Sequence, residues 1–294
     1  MSGEFGSDDQ AILDYPTVYR ANLFAGKVVL VSGGGSGLGK VTAALFGRLG
    51  ATVAICGRDP EKLTAAKAFF TKAGIQCWSQ AMTIRDPAGV DALYDKIYND
   101  LGQLDIVVNN AGGQFPQAAI DFSVKGWNAV IDTNLNGTWY MMQAAAKHWQ
   151  RLGRPGSIVN VVADIWRGLP QMAHTTAARA GVIFASKSAA VEWAPLGIRV
   201  NCMAPGCCES SAFGRYAPEG AETFTQSNPM MRAGDEFDVA EAIVYLAGPS
   251  GKFVTGEVLT VDGGQQMWGD PWPAGRPKEF ELDYSFGKAP LKPE

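Results

Sequence analysis

The sequence contains no Cys-x-x-Cys pair. Its five cysteines, Cys56, Cys77, Cys202, Cys207 and Cys208, are odd in number, which excludes a zinc ribbon and a thioredoxin-type redox motif. Cys207 and Cys208 are adjacent, a spacing that suits neither an ordinary disulfide nor a tetrahedral metal site. The thiols therefore read as reduced, in a cytosol-like compartment, and mostly as small buried apolar groups. No apolar run reaches membrane-spanning length. Residues 1–21 carry Asp8, Asp9 and Asp14, lack the apolar stretch of a signal peptide, and are expected to form an N-terminal leader. Within it, residues 1–7 read as a flexible lead or a cloning remnant. The closing Leu-Lys-Pro-Glu is not a peroxisomal address, so the expected location is cytoplasmic. Basic surplus is absent too: 25 Lys and Arg face 29 Asp and Glu, for a net charge of −4. That balance argues against nucleic acid, whose phosphates demand basic surface. No internal repeat or low-complexity linker interrupts the chain.

What the sequence does have is glycine, 35 residues in 294, and an ordinary apolar content of 47%. Such a composition excludes disorder, coiled coil and collagen, and the length suffices for a full core. Short apolar runs alternate with helical patterns. Runs at 27–31 (KVVLV), 52–56 (TVAIC), 105–109 (DIVVN), 157–162 (SIVNVV), 198–203 (IRVNCM) and 257–261 read as strands. Helical patterns occupy 40–49, the segment opened by Asp59-Pro60-Glu61, 89–101, 126–150 with Asn134 inside, 174–194 and 238–247. Strands separated by helices imply right-handed crossovers. The expected fold class is α/β: a single doubly wound parallel-sheet (Rossmann) domain over 22–264, with a proline-rich extension at 265–294.

The glycines cluster first at 32–39 (SGGGSGLG), between a strand and a helix. Gly33 allows the tight turn, Gly37 lets the backbone approach a pyrophosphate, and Gly39 lets helix and strand pack. Gly33, Gly35, Ser36, Gly37, Leu38 and Gly39 are the candidate phosphate contacts, with the helix N-terminus supplying N–H donors and dipole. At the end of the second strand a carboxylate would bind the adenosine ribose of NAD. Here the chain reads Cys56-Gly57-Arg58. Arg58 either pairs with a 2′-phosphate, which favours NADP(H), or is a solvated loop charge.

These motifs together with NNAGG at 109–113, Thr133-Asn134, APG at 204–206 and VDGG at 261–264 resemble the short-chain dehydrogenase/reductase family over residues 27–264. Three segments are similar to the trans-2-enoyl-CoA and 2,4-dienoyl-CoA reductases: VNNAGGQF at 108–115, KGWNAVIDTNLNGTWYM at 125–141, and HTTAARAGV at 174–182 with the SKSAAVEWAPLGIRVN after it. The resemblance implies further cofactor contacts at Asn110, Ala111, Gly112, Arg179, Pro205 and Gly206, a mobile apolar substrate lid at 207–232 that includes Phe213 and Tyr216, and a homotetramer.

Most members of this family use Ser, Tyr and Lys with a supporting Asn. Here the Tyr position is Thr175, the Lys position is Arg179, and the Ser position falls at Val162 or Ala163; only Asn134 matches. A Thr hydroxyl is far less acidic than a phenol, so alcohol chemistry loses its general acid. Enoyl thioester reduction asks only for donors to the developing enolate oxygen. The similar coenzyme A reductases also lack the Tyr, and the trans-2-enoyl-CoA branch carries Arg in the Lys position. Thr175 and Arg179, four residues apart on one helix face, are the candidate donor to the thioester oxygen and the candidate cofactor-positioning cation. Asn134 holds a water or a neighbouring backbone group. Asp164 reads as a proton relay or as a loop residue capping backbone N–H groups. His174 reads as a helix-start residue, His148 and Lys187 as surface, and Trp127, Trp139 and Trp149 as core or interface.

Three functions fit: an NADPH-dependent reductase of a small-molecule 2-enoyl- or 2,4-dienoyl-CoA; an NADP(H)-dependent dehydrogenase of an alcohol, aldehyde or hydroxyacyl-CoA, including branched or terpenoid ones; and a catalytically impaired NADP-binding scaffold or redox sensor using Cys207–Cys208.

Overall fold

The computed structural model describes residues 6–211 and 224–267. Its strands are β1 (Val28–Ser32), β2 (Thr52–Gly57), β3 (Cys77–Ala81), β4 (Ile106–Asn109), β5 (Gly156–Val161), β6 (Ile198–Pro205) and β7 (Val258–Val261). All seven join one sheet in the order β3-β2-β1-β4-β5-β6-β7. Every neighbouring pair is parallel. The principal helices are α1 (Asp9–Asp14), α2 (Gly37–Arg48), α3 (Pro60–Lys72), α4 (Pro87–Leu101), α5 (Val124–Ile131), α6 (Thr138–Leu152), α7 (Ala173–Trp193) and α8 (Glu236–Ala247). The doubly wound sheet expected from the alternation is the fold observed. The lid residues Phe213 and Tyr216, and the tail from 268 on, lie outside the described residues.

The central strands are mostly apolar because helices cover both faces, and β1 and β4 are buried at every position. Alternate side chains feed two cores. Val29 and Val31 join Val53 and Ile55 under α2, α3 and α8, while Val28, Leu30 and Val107 pack with Tyr94, Met141 and Trp149 of α4 and α6. Asp59 and Asp86 cap α3 and α4, each followed by proline at the first helical position. None of the described helices is long and apolar enough to cross a membrane.

Four features differ from the sequence expectation. β3 has no counterpart in it: CWSQA is polar and only half-buried, since an edge strand pairs on one side alone. The helix expected over 126–150 is three pieces, because a π-turn over Asp132–Gly137 separates α5 from α6. Trp127 therefore stands on a different helix from Trp139 and Trp149. His148 is not on the surface: it is buried, stacked on Tyr98 at 5.0 Å, with Arg151 at 2.8 Å from Nδ1. The N-terminal segment is folded onto the domain. Ile12 is buried, Tyr15 stacks on Phe237 at 3.6 Å, and Ser7 donates to the buried Glu236 carboxylate through its N–H (3.0 Å) and hydroxyl (2.9 Å).

Candidate active site

The site forms where the strand order reverses, between β1 and β4, at the carboxyl ends of the strands. Ser32, the last residue of β1, is buried, and its hydroxyl accepts the N–H groups of Asn110 (3.1 Å) and Ala111 (3.0 Å). Asn110 Nδ2 donates back to the Ser32 carbonyl at 3.1 Å. These bonds fasten the loop after β4 to the glycine loop. Gly33 has φ +72°, and a Cβ there would stand 2.9 Å from Asn110 Nδ2, so no other residue fits.

Gly35, Ser36, Gly37, Leu38 and Gly39 carry the chain into α2. Ser36 is the N-cap, its hydroxyl making no cap bond, and no acidic side chain occupies the first turn. The positive end of α2 is therefore left unopposed by any acidic side chain of its first turn. Gly39 packs so closely that a Cβ would lie 2.3 Å from the Gly33 carbonyl oxygen. Above Gly37 stands the Ser211 hydroxyl, 3.0 Å from where a Cβ would be. Sequence reading missed Ser211, which lies 174 positions away in the chain, as it missed Ser32. Arg58 follows the end of β2 and is exposed.

The second half of the site centres on Gly112. A Cβ there would lie 2.4 Å from Arg179 Nη2 and 3.1 Å from Asn134 Oδ1, so both side chains close on bare backbone. The π-turn aims Asn134 inward. Its Oδ1 accepts the Gly113 N–H and its Nδ2 donates to the Gly113 carbonyl, each at 3.0 Å. Of the two roles open to Asn134, the backbone group is the one observed.

Thr175 and Arg179 share the buried face of α7, which is held to the sheet by a polar chain. Asn109 Nδ2 donates to Asn160 Oδ1 (2.8 Å), and Asn160 Nδ2 donates to Ser186 Oγ (2.8 Å). Arg179 is 7% exposed, and its Nη1 has no partner; nor has the Thr175 hydroxyl. Burial pushes the guanidinium down to about 10, still fully charged at neutral pH. Two buried donors thus stand unpaired on one helix face, Arg179 against the Gly112 backbone, an arrangement that costs stability unless something arrives to accept from them.

His174 is more than a helix start. It is fully buried between Phe115 (ring centroids 4.7 Å) and Phe122 (4.5 Å), and its Nδ1 accepts the Thr175 N–H at 2.7 Å. Burial lowers its pKa, so the ring stays neutral and fixes the backbone at Thr175.

Asp164 stands apart from the Gly112 cluster. It lines a cavity of about 290 Å³ with Arg167, Leu169, Ser227 and Gln265, and its N–H donates to the Pro205 carbonyl at 2.9 Å. Burial first, and the nearby Asp262 second, raise its carboxyl above the ordinary range. Pro205 ends β6, and Gly206 N–H donates to the Val261 carbonyl at 3.0 Å, joining the residue after β6 to the last residue of β7. Lys187 is exposed, as expected. All five thiols are free, and burial pushes Cys208 up to about 12 and raises Cys207, so neither vicinal thiol is primed for oxidation.

A glycine-lined helix N-terminus at the switch point, with a π-turn Asn and a buried cation across from it, defines a nucleotide-dependent oxidoreductase site. A family model described as enoyl-(acyl carrier protein) reductase matches residues 33–266, and the chain belongs to this branch of the short-chain dehydrogenase/reductase family. It is 33% identical over 261 residues to the peroxisomal 2,4-dienoyl-CoA reductase of Danio rerio, covering 87% of each chain. It is also 33% identical to the probable 2,4-dienoyl-CoA reductase of Bacillus subtilis, over 84% of this chain and 98% of the relative. A solved citronellol catabolism dehydrogenase from Pseudomonas aeruginosa is 36% identical, with a TM-score of 0.77, over 86% of this chain and all of that one. The protein is thus a short-chain oxidoreductase, and family and fold together imply a nicotinamide cofactor.

Proposed function

We propose that this protein reduces the carbon–carbon double bond of a 2-enoyl- or 2,4-dienoyl-coenzyme A thioester with NADPH. One observation carries the reading: Thr175 and Arg179 present two buried, unpartnered donors on one helix face, Arg179 against Gly112, with Thr175 at the position where most of the family carries a tyrosine phenol. The glycine loop and the α2 N-terminus fit the pyrophosphate, and the 2,4-dienoyl-CoA reductase relatives support the acyl thioester. Bound NADPH would supply the hydride. The chain's own groups do the rest. Asn134 sets the Gly112–Gly113 backbone, while Arg179 and Thr175 donate to oxygen as negative charge gathers there. Fixed donors in a dry site need no reorganisation at that moment. The test is oxidation of NADPH with medium-chain trans-2-enoyl-CoA and with 2,4-dienoyl-CoA; inertness toward both removes the reading.

A dehydrogenase of terpenoid or other alcohols is the second reading, supported by the likeness to the citronellol catabolism dehydrogenase. NADP⁺ reduction across an alcohol panel, with no acyl-CoA turnover, would decide for it. The raised pKa values of Cys207 and Cys208 weigh against the sensor.

Arg58 is the proposed 2′-phosphate partner. Arg58→Ala is expected to weaken NADPH binding by about 10- to 100-fold, the loss of one charge-assisted pair, and to leave NADH binding unchanged. Equal losses for both cofactors, by fluorescence titration, would make Arg58 a plain surface charge.

Asp164, in a neighbouring cavity, is the proposed proton relay, passing a proton toward the α-carbon through water rather than by direct contact. A carboxyl with a raised pKa stays protonated to higher pH than an ordinary one, and donor activity falls as pH rises through that value. The rate should decline on the alkaline side in the wild type, and Asp164→Asn should be slow and flat across that range. An unchanged rate and profile in the variant would leave Asp164 as a loop cap. The proposed assembly is a homotetramer, and exposed Phe184 and Val191 on α7 give it an apolar face. Sedimentation as a monomer at micromolar concentration would overturn that.

A further inference from the structure

The π-turn that aims Asn134 is held from outside by a residue far from the site. A π-turn is less favourable than the α-helix around it, and single turns of this kind persist where something secures them. Here the winding changes just after Ala129, whose carbonyl receives two side-chain donors. The Thr133 hydroxyl reaches back four residues to it at 2.8 Å, and Arg85 Nη2 reaches it from the β3–α4 connection at 2.7 Å. Arg85 Nε donates in turn to the Thr133 hydroxyl. The three groups close a ring. Two adjacent N–H groups of one planar guanidinium meet two acceptors set at the spacing of its fork, which a single ammonium cannot reproduce. A hydroxyl bonded back to the i−4 carbonyl also bends a helix where it sits.

The residue after Thr133 is Asn134, fully buried, with both polar atoms committed to the backbone of Gly113. Gly112 then sits between Asn134 Oδ1 and Arg179 Nη2. A continuous path of contacts therefore runs from exposed Arg85 through Thr133 to Asn134, the glycine loop and the buried cation.

We propose that Arg85 is a positioning residue: it clamps the entry to the π-turn and, through Thr133, holds Asn134 and the Gly112–Gly113 loop against Arg179. The proposal rests on the reading of the Gly112 cluster as the active site. Its side-chain hydrogen bonds go to Thr133 and Ala129, neither of them a residue assigned to cofactor or substrate. Its effect is therefore on the rate of the bound complex rather than on assembling it.

The test uses the full chain. Arg85→Ala is expected to lower kcat by about 10- to 100-fold, the usual consequence of a small displacement of catalytic groups, with KM for the acyl-CoA and NADPH affinity unchanged. Arg85→Lys, which keeps charge but loses the fork, should fall between. Thr133→Val, which keeps shape but removes the shared hydroxyl, should reproduce Arg85→Ala. In an Asn134→Ala background, Arg85→Ala should remove nothing further, because its action runs through Asn134. A second readout needs no substrate: amide hydrogen exchange in Arg85→Ala should quicken over residues 129–138 and at Gly113 while the rest of α6 is unchanged. Additive losses in the Asn134→Ala background, weakened NADPH binding at unchanged kcat, or unaltered exchange at Gly113 would each overturn the clamp. If the wild type reduces no acyl-CoA, the reading of the reaction fails alone, and exchange at Gly113 still decides the clamp: quickened upholds it, unaltered overturns it.

Discussion

Arg179→Met is expected to lower kcat/KM for an enoyl-CoA by about 100- to 1,000-fold, the loss that follows removal of one donor at a developing oxyanion. The same substitution is expected to raise the melting temperature. Arg179 is buried with an unpaired Nη1, and burial drives its pKa down to about 10. A lowered pKa in a cation means that folding disfavours its charged form, so at neutral pH, where Arg is charged in both states, the folded state bears the penalty. A methionine of similar length removes the charge without opening a large cavity. Removing an unsatisfied buried donor in favour of a well-packed apolar side chain is expected to stabilise by about 1–3 kcal/mol, or several degrees in melting temperature for a chain of this size. Opposite signs on activity and stability are the mark of a group kept for function. Saturating NADPH should narrow the stability gap, because bound cofactor gives the wild-type cation its acceptors. Steady-state NADPH oxidation and circular-dichroism melting, each with and without cofactor, read the three effects. A variant that melts lower with kcat/KM intact would make Arg179 a structural residue.

Trp149→Ala is expected to destabilise the fold by about 3–5 kcal/mol, a large part of the roughly 5–15 kcal/mol that holds an ordinary domain folded. Trp149 is fully buried on α6, and its Nε1 donates to the Leu104 carbonyl at 2.7 Å. Gly156, at the start of β5, packs so closely on the indole that a Cβ would lie 2.3 Å from it. Truncation leaves both a cavity and a carbonyl without its donor. Trp149→Phe keeps most of the volume and loses the bond, so it should cost about 1–3 kcal/mol. Urea midpoints at constant slope would measure both. A loss below that of the Phe variant would show that the site collapses around the gap. Because α6 leaves the π-turn directly, the Ala variant should also loosen Asn134, and its residual activity should fall before global unfolding.

Legibility in the sequence followed the range of the forces involved. The glycine loop, the strand alternation and the pairing of Thr175 with Arg179 are local patterns, read within a dozen residues, and each stands where expected. β3 escaped because an edge strand needs no apolar run. The π-turn escaped because DTNLNG fits the periodicity of the helices around it, and the ring of Arg85, Thr133 and Ala129 spans 48 positions between Arg85 and Thr133. His148 escaped because its burial comes from Tyr98 on another helix. Asp164 was legible as a residue at a strand end, but not as one that lines a cavity with Ser227 and Gln265 and feels the charge of Asp262.

The sequence by itself determined the class of this protein: spacing of apolar runs fixes a parallel sheet, and glycines between strand and helix mark the turn that opens the α2 N-terminus. The threonine four residues before Arg179, where most of the family has tyrosine, is the sequence feature behind the proposed enoyl reduction. Only the tertiary structure decided that Arg179 Nη1 and the Thr175 hydroxyl are left unpaired, that Asn134 spends both its polar atoms on Gly113, and that a surface arginine hydrogen-bonds Ala129 and Thr133 at the turn carrying Asn134. Periodicity reports what each segment buries. Whether a buried donor finds a partner depends on segments a hundred residues away, and that is settled only when the chain closes on itself.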